Sequence, residues 1–367
     1  LRRRCPVVEH LEILVGYNGE ITAALDGTTL TLERQDDTSR YELRLENGTQ
    51  VIIHRCMAEE FGSKLFQRTG SSDFVEAFVK QAPGLVFKGL RTEHEVFEKA
   101  GLPYIAPELR ENPKVLSLAQ ARQLPDLISD ADLRGVLHVH TTWSDGLHSL
   151  REMCEYARSL GYDYIGITDH SQAAFYANGL KPDRVLAQMA EIDALNAELA
   201  PFRIFKGIES DILNDGALDY EEELLGKFDF IVASVHSNLK MSREKATERV
   251  LRAIRHPRTT ILGHPTGRLL LSREGYPLDW PAVMDACAEH GVALELNANP
   301  HRLDLDWSLI PEATRRGIRI SINPDAHSRE GIHHMRYGVM AARKGGLRAA
   351  DCLNALGAEA FAERLRR

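Results

Sequence analysis

Gly135-Val136-Leu137-His138-Val139-His140-Thr141-Thr142-Trp143-Ser144-Asp145-Gly146 is the stretch from which the fold of this chain can be read. Its apolar run, Val136 to Val139, predicts a buried strand. Side chains of a strand repeat every two residues, so His138 and His140 share a face. Asp145 follows in a turn. Alone, the stretch fits two accounts equally: a core histidine pair beside a solvated carboxylate, or one strand's share of a metal site.

The downstream sequence decides between them. From Arg134 onward, strand-like runs at 136–140, 163–168, 203–208, 229–235, 259–263, 292–297 and 318–323 alternate with helical stretches. The clearest helix spans Asp183 to Leu199, with Val185, Leu186, Met189, Ile192, Leu195 and Leu199 in one apolar stripe. Repeated βα units with short buried strands predict an α/β fold with a parallel barrel, whose functional residues gather at the C-terminal strand ends. Those ends carry His138, His140 and Asp145, then Thr168-Asp169-His170, Glu209, His236, His264, Glu295-Leu296-Asn297, and finally Asp325 and His327. Histidines scattered at random would not register with a barrel's period. His10, His54, His94, His148, His256, His290, His301, His333 and His334 do not, and read as surface or packing residues. Six imidazoles and three carboxylates with no thiolate suit Zn²⁺, Mn²⁺ or Fe²⁺ and exceed what one ion can use, which implies two to three ions.

Composition sets the frame. At 367 residues the chain has room for two domains or a barrel with an appendage, and 43% hydrophobic with 27% charged residues is ordinary for a globular protein. A formal net charge of -8 leaves any nucleic-acid contact to a local basic patch. Cys5, Cys56, Cys154, Cys287 and Cys352 are far apart and form no CxxC pair, which favours a reducing cytoplasm over a disulfide framework. There is no bilayer-length apolar run and no signal-peptide pattern, so no membrane partner is expected. The sequence begins at Leu1 rather than Met, which leaves open whether it is a fragment of a longer chain.

Residues 1–112 read as a small α+β unit. Tyr41, Leu43 and Leu45 alternate up to Asn47-Gly48, and Val51 and Ile53 alternate after it, which predicts a hairpin with a type I′ turn. Glu93 to Ala100 predicts a short helix stopped by Gly101-Leu102-Pro103. Residues 113–133 read as a connector, weakly helical from Val115 to Leu124 and broken by Pro125.

This N-terminal unit resembles the palm and thumb of bacterial family X DNA polymerases. The likeness runs through Leu1-Arg2-Arg3-Arg4, Leu11-Glu12-Ile13-Leu14-Val15, Glu60-Phe61-Gly62, Thr69-Gly70-Ser71 and Gly101-Leu102-Pro103-Tyr104-Ile105-Ala106-Pro107-Glu108-Leu109-Arg110-Glu111. The family's paired aspartates fall on His10 and Glu12, its third on Ile52, and its nucleotide-side aromatic pair on Gln67-Arg68. Nucleotidyl transfer needs carboxylates that clamp two divalent ions, and isoleucine cannot ligate a metal. The expectation is a degenerate, truncated palm/thumb remnant without polymerase activity, kept as a docking or DNA-holding appendage. Arg2, Arg3, Arg4, Lys64 and Arg68 read as a solvated basic face.

Residues 134–367 resemble the polymerase-and-histidinol-phosphatase (PHP) superfamily, specifically the C-terminal PHP domain of family X polymerases. The likeness covers about 134–350 and rests on HVHTTWSDG, GITDH, KGIE, SVHS, GHPTGR, ELNANPHRLDL and DAHS. It implies a distorted, TIM-like (β/α)7 barrel whose metal ligands are His138, His140, Asp145, His170, Glu209, His236, His264, Asp325 and His327. It further implies that His138, His140, Glu209 and Asp325, the catalytic set, hold one ion, Glu209, His236 and His264 a second, and Asp145, His170 and His327 a third. One departure is Val136, where many members carry Asp, and it leaves the support behind the ligands in question.

The chemistry implied is metal-assisted phosphoester hydrolysis. Arg268, Arg302, Lys240 and Arg329 follow strand ends and are candidates to bind the substrate phosphate, each with a structural salt bridge as an equal account. Trp143 and Tyr276 are candidates to line the mouth, with packing the better account of both. The first expectation for function is a nuclease or phosphodiesterase acting on DNA 3′ ends. The alternatives are a small-molecule phosphomonoesterase of the histidinol-phosphatase type and a non-catalytic scaffold that binds DNA or a repair partner.

Overall fold

The computed structural model describes residues 1–16, 30–36 and 39–366. The chain divides after Pro125 into two units. In the first, strands β1 (His10–Gly16), β2 (Leu30–Asp36), β3 (Arg40–Leu45) and β4 (Gln50–Cys56) form a sheet in the order β1-β4-β3-β2. The β3–β4 hairpin forms where Asn47-Gly48 signals it, but not with a type I′ turn. That turn needs positive φ at both residues, and only Gly48 has it, at 85°. Gly48 N–H donates to Leu45 O and Leu45 N–H to Thr49 O, each at 2.9 Å, closing a three-residue loop. Tyr41, Leu43, Val51 and Ile53 are buried on one face of the sheet. His10, Glu12, Ile52 and His54 share the other, with Glu12 opposite Ile52 in parallel register.

Helices at 61–69, 72–81, 93–99 and 114–120 build a second core from Phe66, Phe74, Phe78, Phe97, Ile105 and Leu116. Thr92 and Glu95 close a capping box on Glu93–Lys99, and Gly101 at φ 70° follows its end. No separate connector spans 113–133. Val115, Leu116 and Ala119 pack into the first unit's core, whereas Ile128 and Leu133 pack into the barrel's. Arg2 and Arg3 keep part of their surface in solvent but are also tied into ion pairs. They pair with Glu93 at 2.6 Å and Glu111 at 2.8 Å.

The second unit is the expected barrel. Strands β5 (Gly135–Val139), β6 (Tyr164–Ile167), β7 (Arg203–Asp211), β8 (Phe230–Ser234), β9 (Ile261–Leu262), β10 (Ala293–Asn297) and β11 (Ile320–Asn323) run parallel in sequence order. At the C-terminal end the ring closes directly, His140 N–H donating to Ala326 O at 2.9 Å and Ala326 N–H to His138 O at 3.2 Å. At the other end the chain near Leu353 fills the gap between β5 and β11. Leu353 N–H donates to Ile320 O, and Arg134 N–H to Asn354 O, both at 2.8 Å.

Beneath the site, Leu137, Tyr164, Phe205, Phe230 and Phe361 fill the N-terminal mouth. A Cβ on Gly135 would fall 2.0 Å from the Tyr164 ring, so only glycine allows that packing. The long helix spans Pro182–Leu199, but Leu186 is exposed and Gln188 is buried instead, donating to Asp169 Oδ2 at 2.6 Å. The buried stripe thus steps 185, 188, 189, 192 rather than through 186. Among the described residues, no helix is long and apolar enough to cross a membrane.

Candidate metal centre

All nine residues expected as ligands converge at the C-terminal mouth of the barrel. The backbone bends to bring them there. The β5–β6 register shifts between Val136 and Val139, and His138 holds a left-handed φ of 59°. Such a bulge re-aims side chains, and the rings of His138 and His140 lie 5.3 Å apart. Asp325 holds φ 51°. Non-glycine residues in this region store about 1–3 kcal/mol each, and such strain clusters at functional sites.

Glu209 stands at the centre. Its Oε1 lies 2.9 Å from His264 Nε2, 3.1 Å from His236 Nε2 and 3.2 Å from His138 Nε2. Its Oε2 lies 2.9 Å from His170 Nδ1 and 3.6 Å from His140 Nε2. Asp325 Oδ1 faces His140 Nε2 at 3.2 Å and His138 Nε2 at 3.6 Å. Asp145 sits 3.4 Å from His327 and 3.7 Å from His170. Four sets of side chains could each hold an ion: His140–Asp145–His170–His327, His138–Glu209–His264, His138–His140–Asp325 and His170–Glu209–His236. Asp145 therefore groups with His170 and His327 as the resemblance implied, but His140 joins them, and His170 also reaches Glu209. None of the remaining histidines enters a set.

The electrostatics are those of crowded ligands. Burial, then His327 and His170, push His140 down to about 3. Burial opposes protonation of His236, yet Glu209 and Asp211 hold it up at about 10. Burial would raise Glu209, but His236, His138 and His170 hold it well below the usual carboxylate range. Buried atoms left without a hydrogen-bond partner include His138 Nε2, both ring nitrogens of His140, His170 Nδ1 and Glu209 Oε2.

Two further carboxylates stand behind the cluster. Glu295 Oε1 is 2.6 Å from His138 Nδ1 and accepts from Asn323 Nδ2 at 2.7 Å, and its Oε2 accepts from His264 N–H at 2.6 Å. Asp211 Oδ1 is 3.1 Å from His236 Nδ1. The sequence reading assigned neither. Both carried a signal: Glu295 ends the sixth barrel strand, and Asp211 follows Glu209 by two residues on one strand face. Val136 packs in an apolar cluster, and the carboxylate behind His138 comes from β10.

The candidate cations separate. Arg302 Nε lies 3.5 Å from Asp325 Oδ2, against the cluster. Arg268 does not face it: its guanidinium binds Asp306 at 2.8 Å and the carbonyls of Arg302 and Leu303, tying one loop together. Arg329 lies over the Tyr156 ring, 6.0 Å from its centroid. Lys240 lines a groove of about 830 Å³ beside His236, with Lys245, Arg273 and Glu274. Trp143 donates to Glu191 at 2.9 Å and Tyr276 is buried, so both pack.

Comparison with known proteins follows the same division. The PHP domain model matches residues 137–299. A DNA polymerase/3′-5′ exonuclease PolX of Bacillus subtilis is 39% identical over 85% of this chain, which spans 57% of that protein's length. A probable phosphatase of Shewanella sp. (strain MR-4) is 32% identical over 52% of this chain and 75% of its own. A histidinol phosphate phosphatase of Lactococcus lactis, solved with zinc, L-histidinol and phosphate, aligns with TM-score 0.40 and 19% identity over 58% of this chain and 94% of its own.

Proposed function

We propose a function from one premise: the chain belongs to the PHP domain family. It is a metal-dependent phosphoesterase that hydrolyses phosphodiesters at the 3′ ends of DNA. The observation that carries this reading is Glu209, buried with both oxygens among five imidazoles. Leaving His138 Nε2, His140 Nε2 and His170 Nδ1 unpartnered costs about 1–3 kcal/mol each, and cations remove that cost. Nitrogen and oxygen donors without thiolate fit Zn²⁺, Mn²⁺ or Fe²⁺. His138, His140, Glu209 and Asp325 would hold one ion, Glu209, His236 and His264 a second, and Asp145, His170 and His327 a third, with His140 and His170 near enough to be shared. Bound divalent ions supply Lewis acidity towards a phosphoester and acidify water.

The chain's own residues do the rest. Glu295 and Asp211 fix the orientation of His138 and His236 through the ring nitrogens turned away from Glu209. Arg302 brings a guanidinium to the mouth, where it can hold phosphate oxygens. Lys240, Lys245 and Arg273 give the groove beside His236 the charge to follow a polynucleotide backbone. Relatives called probable phosphatases favour a second reading, a small phosphomonoester of the histidinol-phosphate type.

One experiment separates the two: Mn²⁺-loaded protein given 3′-labelled single-stranded DNA or histidinol phosphate, beside His138→Ala/Asp325→Ala. DNA turnover lost in the double variant supports the nuclease, turnover of histidinol phosphate alone supports the phosphatase, and turnover of neither leaves a scaffold. Glu295→Gln is expected to lower hydrolysis about 10- to 100-fold, with metal content measured alongside; unchanged rates would remove Glu295 from the site. In the first unit, Glu12 pairs with His10 at 3.1 Å and His54 at 3.6 Å, beside Ile52. That arrangement supports a palm without polymerase chemistry. Primer-extension assays should detect no nucleotide incorporation, and any incorporation would overturn this view.

A further inference from the structure

The four most exposed large apolar side chains among the described residues of the barrel are Leu271, at 90% exposure, Phe175 at 85%, Leu147 at 75% and Tyr176 at 62%. All stand on loops that follow β5, β6 and β9, around the mouth that holds the candidate metal centre. Elsewhere on the barrel, among the described residues, exposed large apolar side chains stand singly, Leu186 at 49% and Leu160 at 39%, so the grouping at the rim needs its own account.

Phe175 and Tyr176 lie in a short 3-10 turn, Phe175–Ala177. The loop carrying them is tied down on both sides. Ala173 N–H donates to Asp219 Oδ2 at 2.7 Å, and Leu180 N–H donates to His170 O at 2.8 Å. Asn178 Nδ2 donates to Ser144 O at 3.1 Å and to Trp143 O at 3.2 Å. The turn therefore bridges from His170 to the residue before Asp145, and its tip is held in place. The rings of Phe175 and Tyr176 meet edge to face, with centroids 6.0 Å apart at 78°. Burial, followed by Asp211, Glu209 and Asp145, raises the Tyr176 phenol, and much of the ring stays exposed. Trp143 and Tyr276, the other aromatic candidates for the mouth, pack instead, which is the better account of both in the sequence.

We propose that Phe175 is the stacking platform for the terminal base of a single-stranded polynucleotide, with the Tyr176 ring set edge to face beside it. This rests on the 3′-end reading above. A solvent-facing aromatic ring on a tied-down loop matches the flat face of any base, and stacking of this kind is worth roughly 5- to 150-fold in affinity. A base locked in a duplex would have to leave its own stack to reach Phe175, so an unpaired end is the form the site takes. The groove with Lys240, Lys245 and Arg273 then receives the backbone.

The test pairs a change in the protein with a change in the substrate. Single-stranded oligonucleotides ending in a normal nucleotide or in an abasic residue are given to Mn²⁺-loaded wild type, Phe175→Ala and Phe175→Trp. Wild type should show a KM on the order of tenfold lower for the oligonucleotide with a terminal base. Phe175→Ala should erase that ratio, and Phe175→Trp should restore it. Equal discrimination by wild type and Phe175→Ala would overturn the proposal. If wild type cleaves neither oligonucleotide, the nuclease reading falls. Fluorescence anisotropy with the same oligonucleotides and metal-free protein then decides the platform alone: discrimination lost in Phe175→Ala supports it, and absent or indiscriminate binding overturns it. Sedimentation that shows self-association abolished by Phe175→Ala, with discrimination unchanged, would assign the rings to a second copy of the chain and overturn the proposal as well.

Discussion

Glu209→Gln should lower metal-dependent hydrolysis by about a thousandfold or more, the rate equivalent of the several kcal/mol that a bound metal contributes to transition-state stabilisation. Glutamine keeps the shape of the side chain but replaces one oxygen with an NH2 group that can only donate, and it removes the charge. In the cluster both Glu209 oxygens face imidazole nitrogens, Oε1 2.9 Å from His264 and Oε2 2.9 Å from His170. No rotation of an amide can offer an acceptor on both sides. Metal content measured by elemental analysis should fall with activity, while circular dichroism should show the fold retained, since β7 keeps its ladders to β6 and β8. Chelation of wild type should reproduce the loss, and re-addition of Mn²⁺ should reverse it. A fully active, fully loaded Glu209→Gln would show that the centre of the cluster lies elsewhere.

The barrel and its cluster were legible because both follow from short-range periodicity. Alternation puts His138 and His140 on one face, and strand ends recur wherever an apolar run stops. The bulge at His138 and the positive φ of Asp325 are tertiary consequences of aiming several ligands at one volume, and leave no local signal. The same holds for the plug around Leu353, set by the gap that seven tilted strands leave at the base. Arg268 sits in the GHPTGR motif and looked like a phosphate ligand. Its three contacts across the loop to Asp306, Arg302 and Leu303 depend on a fold that sequence spacing does not describe. Phe175 and Tyr176 were missed for the converse reason, since exposure of an aromatic pair is a property of the folded loop. Trp143 followed a ligand-bearing strand more closely and drew attention instead, yet its indole is held by Glu191.

Arg110→Met is expected to destabilise the first unit by about 3–5 kcal/mol, because it removes one partner of a buried ion pair. Arg110 is fully buried and Glu93 nearly so; Arg110 Nη1 bonds Glu93 Oε1, and its Nε donates to Ile105 O at 2.8 Å. The guanidinium also lies over Phe97 and Tyr104, 4.9 and 5.1 Å from their centroids. Methionine can fill much of that apolar space, but it leaves the Glu93 carboxylate to Arg2 and the Tyr104 hydroxyl. Burial would raise Glu93, yet its hydrogen bonds to Arg2 and Arg110 hold it below the ordinary carboxylate range. The stabilisation is therefore present above that range and is lost as pH falls through the lowered value. In Arg110→Met/Glu93→Gln both changes remove the same ion pair, so the double variant should lose less than the sum of the single losses. Glu93, Ile105, Phe97 and Tyr104 all lie within Leu1–Pro125, so calorimetry should show one transition lowered and the barrel's unmoved. If both transitions fall together, the units do not unfold separately. If neither falls, the pair is not the anchor of the first unit's core.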